Sequence, residues 1–429
     1  MRVLVYPHTM EIGGCQLNAV ETAGALRQRG HDVSVISRPG PLVELVRQLG
    51  LTHIPLDPRA YRRPSPHAAA HLTRLVQEQK FDIVHGYEWP PGVEAFAGPR
   101  LRLGLPVVCT VYSMAVAPFL PHSMPLIVST DNIRMRAEAA GHAEVTLVEP
   151  PVDVHANSPD YDPGSFRADH GLDPDVPLLA TVCRLAPELK LEGLLAACEA
   201  VAQIAASGTP LQLVIAGDGP ARGEVEKAAA AANERAGGRA VVLTGQLADP
   251  RPAYAAADLV IGMGSSAERA LAFGKPLIVQ GEYGFWELLT PDTAPMFQRQ
   301  GWYGIGPDTH DRGAGTMRLE KILLQLLDDR TAWPKLGEYG RTMAVGRFSL
   351  EHVAAVHEEI YLAARAAPPP PKALLARDSA RSAAGLLKYK IHRKYQKLRG
   401  TAPVDDFNAV SAILRQELRG ERAPAGSAR

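Results

Sequence analysis

Three short segments of this 429-residue chain carry groups that could hold a phosphate. The first, Cys183 to Gly193, reads CRLAPELKLEG. A planar guanidinium at Arg184 and a compact ammonium at Lys190 suit the forked and the point-like contacts that a diphosphate takes. The same two cations could instead pair with Glu188 or Glu192 at the surface. The second segment, Gly262 to Pro276, reads GMGSSAERALAFGKP. A Gly/Ser loop that opens a helix offers free backbone N–H groups at Ser265, Ser266 and Ala267, which favour an anion. Ser265 or Ser266 is a candidate cap for that helix. Glu268, in the first turn, could accept two ribose hydroxyls or simply complement the helix dipole. The third segment is Gly13-Gly14, where missing side chains let backbone approach a ligand. Its spacing is not the dinucleotide fingerprint, because no third glycine stands in register.

These segments act together only if the chain sets them at strand ends, and the pattern predicts that it does. Val3 to Tyr6 is an apolar run without alternation, as a strand covered on both faces reads. Leu17, Val20, Ala23 and Leu26 then recur at helical spacing, and Gly30 closes that helix. Further strands are predicted at Val33–Ile36, Phe81–His85, Pro106–Val111 and Leu126–Val128. Prolines cluster from 149 to 177 and predict a linker. The alternation then restarts, with strands at Leu178–Val182, Leu211–Ala216, Val241–Leu243, Leu259–Ile261 and Pro276–Val279 separated by helices. The expected fold is α/β: two doubly wound parallel sheets facing across a cleft. The expected domains are 1–155 and 156–345, followed by a helix over 346–367 that returns toward the first domain. A proline linker and basic tail occupy 368–429.

The chain has 46 Lys+Arg and 46 Asp+Glu, so no global field draws in nucleic acid. From Lys372 onward, however, 13 basic residues face 5 acidic ones, a net of +8 that leaves −8 on the body. Ile391, Tyr395 and Leu398 recur at helical spacing among these cations. This pattern suits either an anionic membrane surface or a solvated helix packed on the acidic body. The four prolines at 368–371 predict the end of the folded body. Cys15, Cys109, Cys183 and Cys198 have neither metal-site nor disulfide spacing and fit a reducing cytosol. No signal-peptide segment and no membrane-spanning window stand out. The expected location is therefore cytoplasmic, with peripheral contact at the inner membrane face through the tail.

Taken together, GGCQLNAVETAGALRQRGHDV, FDIVHG, RLAPELKLEGL, LQLVIAGDGP, LTGQL…AYAAADLVI and AERALAFGKPLIV resemble the actinobacterial type of the family 4 retaining glycosyltransferases. Those enzymes have the GT-B fold of two Rossmann-like domains. The likeness covers about Met1 to Ala366. It implies a nucleotide-sugar donor, UDP- or GDP-linked, bound mainly by the C-terminal domain. The acceptor, a small-molecule natural product, glycan or lipid, would bind the N-terminal domain. Arg184 and Lys190 would hold the donor diphosphate, Glu268 the ribose, and Gly14 would lie beside the phosphates, with Gly13 next to it.

The chain departs from the family in two places. The family's first glutamate of a pair is missing, since Val260 stands eight residues before Glu268, and the donor-sugar loop is shortened. Glu282 is a candidate substitute. A family histidine near the acceptor is replaced by Tyr112. His85 and His122 are other candidates, and Glu88, Trp89, Tyr87 and Phe119 offer polar and aromatic faces to an acceptor. No Asp-x-Asp pair sits in a nucleotide-binding context. The resemblance therefore implies a metal-independent reaction with no cofactor, the nucleotide-sugar being a substrate. The leaving phosphate would itself deprotonate the acceptor. Two further readings fit the same residues: a non-catalytic nucleotide-binding partner protein of the same fold, and a sugar-nucleotide epimerase.

Overall fold

Uninterrupted Val, Leu and Ile runs leave no polar face, so the strands that they form must be covered on both sides. The structure, a computed structural model, describes residues 1–61, 64–307, 312–402 and 407–408. It divides into two units. Unit 1 comprises Met1–Pro151 and Leu350–Arg429, and unit 2 comprises Val152–Ser349.

Unit 1 holds seven strands: β1 (Arg2–Tyr6), β2 (Asp32–Ser37), β3 (Thr52–Pro55), β4 (Ile83–Tyr87), β5 (Val107–Val111), β6 (Leu126–Val128) and β7 (Val145–Leu147). They pair in the order β3-β2-β1-β4-β5-β6-β7, all parallel. The chain moves outward from β1 to β3 and then restarts at β4 on the other side, so the switch point lies between β1 and β4. Crevices for ligands form at such points. The Leu350–Ala366 helix buries Val353, Ala354, His357 and Tyr361 and packs beside the Gly14–Gln28 helix.

Unit 2 repeats the plan with β8 (Leu178–Val182), β9 (Gln212–Ala216), β10 (Val241–Gly245), β11 (Leu259–Gly262), β12 (Leu277–Gln280) and β13 (Trp286–Leu288). The order is β10-β9-β8-β11-β12-β13, which puts the switch point between β8 and β11. Both units are thus Rossmann-like α/β layers. In each, one core lies on either face of the sheet. β13 runs antiparallel to β12 and was not foreseen.

Two expectations about the connecting segments are corrected. The proline-rich stretch 149–177 is packed structure rather than a free linker, because Val152, Val154, Phe166 and Leu172 are buried in the core of unit 2. Its apolar residues are spaced closely enough to reach that core despite the prolines. Nor does the fold stop at the four prolines. A 27-residue helix, Lys372–Leu398, follows them and is held on unit 1 by the buried carboxylate of Asp378. Proline cannot continue a helix, but it can precede one, and Pro371 is the residue before its first turn.

Candidate functional site

In unit 2 the candidate residues stand on three neighbouring strand ends. The segment after β8 stays extended past the sheet: Cys183 N–H donates to Ala216 O at 3.0 Å and Leu185 N–H to Asp218 O at 3.0 Å. Gly217 makes that approach possible. Its φ is +148°, and an added Cβ would lie 1.9 Å from Cys183 O. Leu185 is fully buried as the anchor of the loop. Arg184 beside it is exposed, and Lys190 stands half-buried immediately before the Leu191–Ala206 helix. Burial pushes the Lys190 ammonium below the ordinary lysine range. Neither side chain has a hydrogen bond or ion pair among the described residues. The alternative pairing with Glu192 is ruled out, since that carboxylate accepts the N–H groups of Tyr283 at 2.9 Å and Gly284 at 2.6 Å.

The turn after β11 delivers the second group. Gly262 lets the chain double back closely, for an added Cβ would lie 2.7 Å from Ala267 Cα. The Ser265–Ala272 helix is preceded by Gly264 at φ 59°, with no side-chain cap. The expectation that a serine caps it is therefore corrected. Ser266 Oγ instead turns back on Met263, donating to its carbonyl oxygen and accepting from its N–H, both at 3.0 Å. The Ala267 N–H is also occupied, by Gly264 O at 2.9 Å. That leaves the N–H groups of Ser265 and Ser266 as the helix's open donors. Glu268 is buried in the first turn.

The turn after β12 holds the first loop in place. Gln280 Nε2 donates to Lys190 O at 3.1 Å and to Leu189 O at 3.4 Å. Glu282 Oε1 accepts the Leu189 N–H at 3.3 Å, and Oε2 accepts the Tyr303 hydroxyl at 2.7 Å. Leu189 and Tyr283 both take left-handed backbone, at φ 66° and 54°, a strained choice for non-glycine residues. Burial raises the Glu282 pKa, and the Tyr303 and Leu189 hydrogen bonds pull against it. Both oxygens of Glu282 are thus engaged, one by the loop that bears Lys190 and one by Tyr303. Gln280 was not singled out from the sequence, and Glu192 was considered there only as an ion-pair partner for the two cations. Their contacts join residues about ninety positions apart, and no local pattern marks them.

In unit 1 the candidate residues are mostly turned inward. Gly13 precedes the Gly14–Gln28 helix in extended backbone, φ −163°. Glu88, at φ 69°, precedes the Trp89–Ala95 helix. Its carboxylate accepts Tyr112 N–H at 2.9 Å, Ser113 N–H at 3.0 Å and the Ser113 hydroxyl at 2.7 Å. Burial raises the Glu88 pKa against those donors. It also pushes the adjacent Cys15 thiol far up, aided by the Glu88 charge. His85 is fully buried, with Nδ1 2.6 Å from Tyr361 Oη and Nε2 2.7 Å from Thr110 Oγ1. Both ring nitrogens are used within unit 1, so His85 belongs to its packing and does not face an acceptor. The Trp89 ring is likewise engaged, edge-on to Phe119 at 5.1 Å and to Tyr389 of the C-terminal helix at 5.7 Å. The His122 backbone N–H binds Asp378 of that same helix at 3.0 Å. Among the described residues no three His, Cys, Asp or Glu side chains gather as metal ligands would.

Comparison with known proteins gives this geometry a context. Residues 12–149 match the model of Glycosyltransferase Family 4, and residues 176–297 match that of Glycosyl transferases group 1. A D-inositol 3-phosphate glycosyltransferase of Actinosynnema mirum is 26% identical over 222 residues, 43% of this chain and 53% of the relative. The match thus spans about half the length of that relative. Among solved structures, a glycosyltransferase from Rickettsia africae superposes with TM-score 0.68 at 14% identity, covering 86% of this chain and 99% of that one. The Anabaena protein HepE, in complex with UDP, gives 0.64 at 16% identity, with 85% and 100% covered. These likenesses establish the GT-B fold.

Proposed function

From a chain built of a glycosyltransferase family 4 domain and a glycosyl transferases group 1 domain, we propose an enzyme that moves a sugar from a nucleotide diphosphate to an acceptor hydroxyl. The observation that carries this reading is the pair Arg184 and Lys190. Two cations without ion-pair partners sit at the β8 end of the unit 2 switch point, beside the turn after β11 that carries the open N–H groups of Ser265 and Ser266. Keeping the unpaired Lys190 ammonium half-buried is costly, and a diphosphate, which the exposed Arg184 fork can also grip, is the ligand that repays it. Glu268 accepts from the ribose hydroxyls in this reading.

The chemistry follows from the charge. The bond from the anomeric carbon to the phosphate oxygen breaks and the nucleoside diphosphate leaves. Arg184, Lys190 and the helix N–H groups stabilise the negative charge that develops there. The acceptor oxygen bonds to the anomeric carbon on the face that the phosphate leaves, and the acceptor proton passes to the departing phosphate. Configuration is retained, and protein cations supply the charge that a metal would otherwise bring. Glu282, fully engaged with Leu189 and Tyr303, serves the loop rather than the sugar. The four free cysteines suit a cytoplasmic enzyme.

The test is a panel of UDP- and GDP-sugars with small-molecule, glycan and lipid acceptors. It includes D-inositol 3-phosphate, the compound in the name of the Actinosynnema relative. Transfer is followed by nucleotide release, and anomeric configuration by NMR, with and without EDTA. Transfer with retention that resists EDTA is expected. Failure of every donor to bind or turn over, or inversion, would overturn the proposal.

A further inference from the structure

We propose that the Lys372–Leu398 helix seats the protein on an anionic lipid surface, independently of what unit 2 binds. One face of the helix is committed to unit 1. Asp378 accepts the N–H groups of His122 and Ser123 at 3.0 and 2.9 Å and the Ser123 hydroxyl at 2.7 Å. Arg381 reaches the carbonyls of Pro118 and Leu120. Gly385 lies against Phe119, where an added Cβ would come within 2.9 Å. Tyr389 packs edge-on to Trp89 and tilted against Phe119. Residues 378, 381, 385 and 389 recur every three or four positions, so they share one face, and that face fixes the roll of the helix.

With the roll fixed, the opposite face of the helix's C-terminal half is exposed, and it carries four large apolar residues. Leu387 and Ile391 are each 62% exposed, Tyr395 48% and Leu398 80%. These four lie in one stripe by helical spacing. Lys390, Lys394 and Lys397 flank the stripe on one side, with Lys388 and Arg399 on the other. From Ser379 to Gly400 the sequence has seven Lys or Arg and no Asp or Glu. An apolar stripe bordered by cations and held outward by the fold matches a bilayer interface. The stripe enters the acyl boundary while the ammonium groups meet lipid phosphates. A nucleic acid would meet the same cations but has no use for exposed leucine and isoleucine at their centre. No helix among the described residues is long and apolar enough to cross a membrane, so the helix lies on the surface rather than through it.

Co-sedimentation of the full chain with vesicles of phosphatidylcholine, with or without phosphatidylglycerol, tests the proposal. Binding is expected with the anionic lipid and not without it. The double variant Lys390→Glu/Lys394→Glu should weaken partitioning about tenfold or more, and Ile391→Ser/Leu398→Ser by about tenfold. A Tyr395→Trp variant should shift its emission to the blue on anionic vesicles only. These side chains are exposed, so melting temperature and lipid-free donor turnover should not change. Equal binding to neutral vesicles, unchanged binding by both double variants, or binding of duplex DNA in place of vesicles would overturn the proposal.

Discussion

The two units share one plan and use its key position in opposite ways. In unit 2 the strand ends at the switch point present charge that the protein leaves unanswered, at Arg184 and Lys190. In unit 1 the equivalent strand ends carry polar groups that the protein has already satisfied. Glu88 holds the 112–113 turn, and His85 is bonded at both nitrogens. Sequence position alone would not separate the two sets, since each lies in or just after a parallel strand next to a switch point. Their hydrogen-bond partners separate a group kept for a ligand from one that holds a loop. Variants at the two sets should therefore fail in different ways.

The largest contrast is expected at Lys190. Lys190→Met should lower kcat/KM by about 10²–10³, as loss of one charge-stabilising donor does elsewhere. The melting temperature should not fall, because a desolvated cation without a partner is being replaced by an apolar chain of similar length. Arg184→Ala should lower kcat/KM alike, and its melting temperature should not fall either, because the side chain is exposed and holds no partner among the described residues. Steady-state kinetics with scanning calorimetry checks both. A variant that melts several degrees lower with turnover intact would make Lys190 structural.

Glu88 should show the reverse pattern. Glu88→Ala removes the acceptor for two backbone N–H groups and one hydroxyl and should cost about 3 kcal/mol of stability. Backbone strain adds a second signature. At φ 69° glycine is at ease where alanine is not, so Glu88→Gly should be the more stable of the two by about 1 kcal/mol. This inverts the order seen in ordinary helices and strands. Chemical denaturation reads the difference, and the normal order would mean that the left-handed backbone at Glu88 does not matter.

Acid should also separate the units. Burial holds the imidazoles of His142 and His357 down to about 3 and about 4, and that of His85 well below its ordinary value. All three lie in unit 1. Below pH 6.5 the unfolded chain takes up protons that the folded one refuses, so stability falls with pH from 6.5 toward 4. The loss is about 1.4 kcal/mol per pH unit for each fully buried imidazole. Glu88 offsets part of this, because its raised pKa favours protonation in the folded state. In unit 2 the half-buried Glu282 is raised too, and no histidine of that unit is buried among the described residues. Acidification should therefore melt unit 1 first. Hydrogen exchange at pH 5 against pH 7, read by peptide, checks this. Equal loss of protection in both units would mean that the imidazoles are not decisive.

How much of this was legible in the sequence depends on the range of the interaction. β8 and β6 fall on their expected residues, and the Leu350–Ala366 helix lies within the expected 346–367, because an apolar run or a 3.6-residue period is a local signal. β3, β7 and β13 were missed. Thr52–Pro55 holds a single strongly apolar residue, Ile54, and ends in proline, Val145–Leu147 has three residues, and β13 reverses direction in a sheet expected to be parallel. Arg184 and Lys190 could be placed because the strand before them was clear. The inward turn of His85 and Trp89 was not foreseeable, since their partners Tyr361 and Tyr389 lie some 276 and 300 residues away.

The smallest expected effect concerns the clamp on the Lys190 loop. Gln280 is buried and bonds the carbonyls of Leu189 and Lys190. Gly193 leaves room for it, since an added Cβ would lie 2.2 Å from Gln280 Nε2. Gln280→Leu keeps the volume and removes the donor, so it should cost about 1 kcal/mol of stability and lower kcat/KM by about tenfold through a displaced Lys190. Gly193→Ala pushes the same amide aside by steric contact. It gains helix propensity of about 1 kcal/mol in return, so its kinetic defect should appear with little or no thermal one. If both act by freeing the loop, the double variant should be no slower than Gln280→Leu alone, because contacts that share one role do not add. Multiplicative losses would mean that the two residues act on the site by separate routes, and that the loop after β8 keeps its shape without the turn after β12.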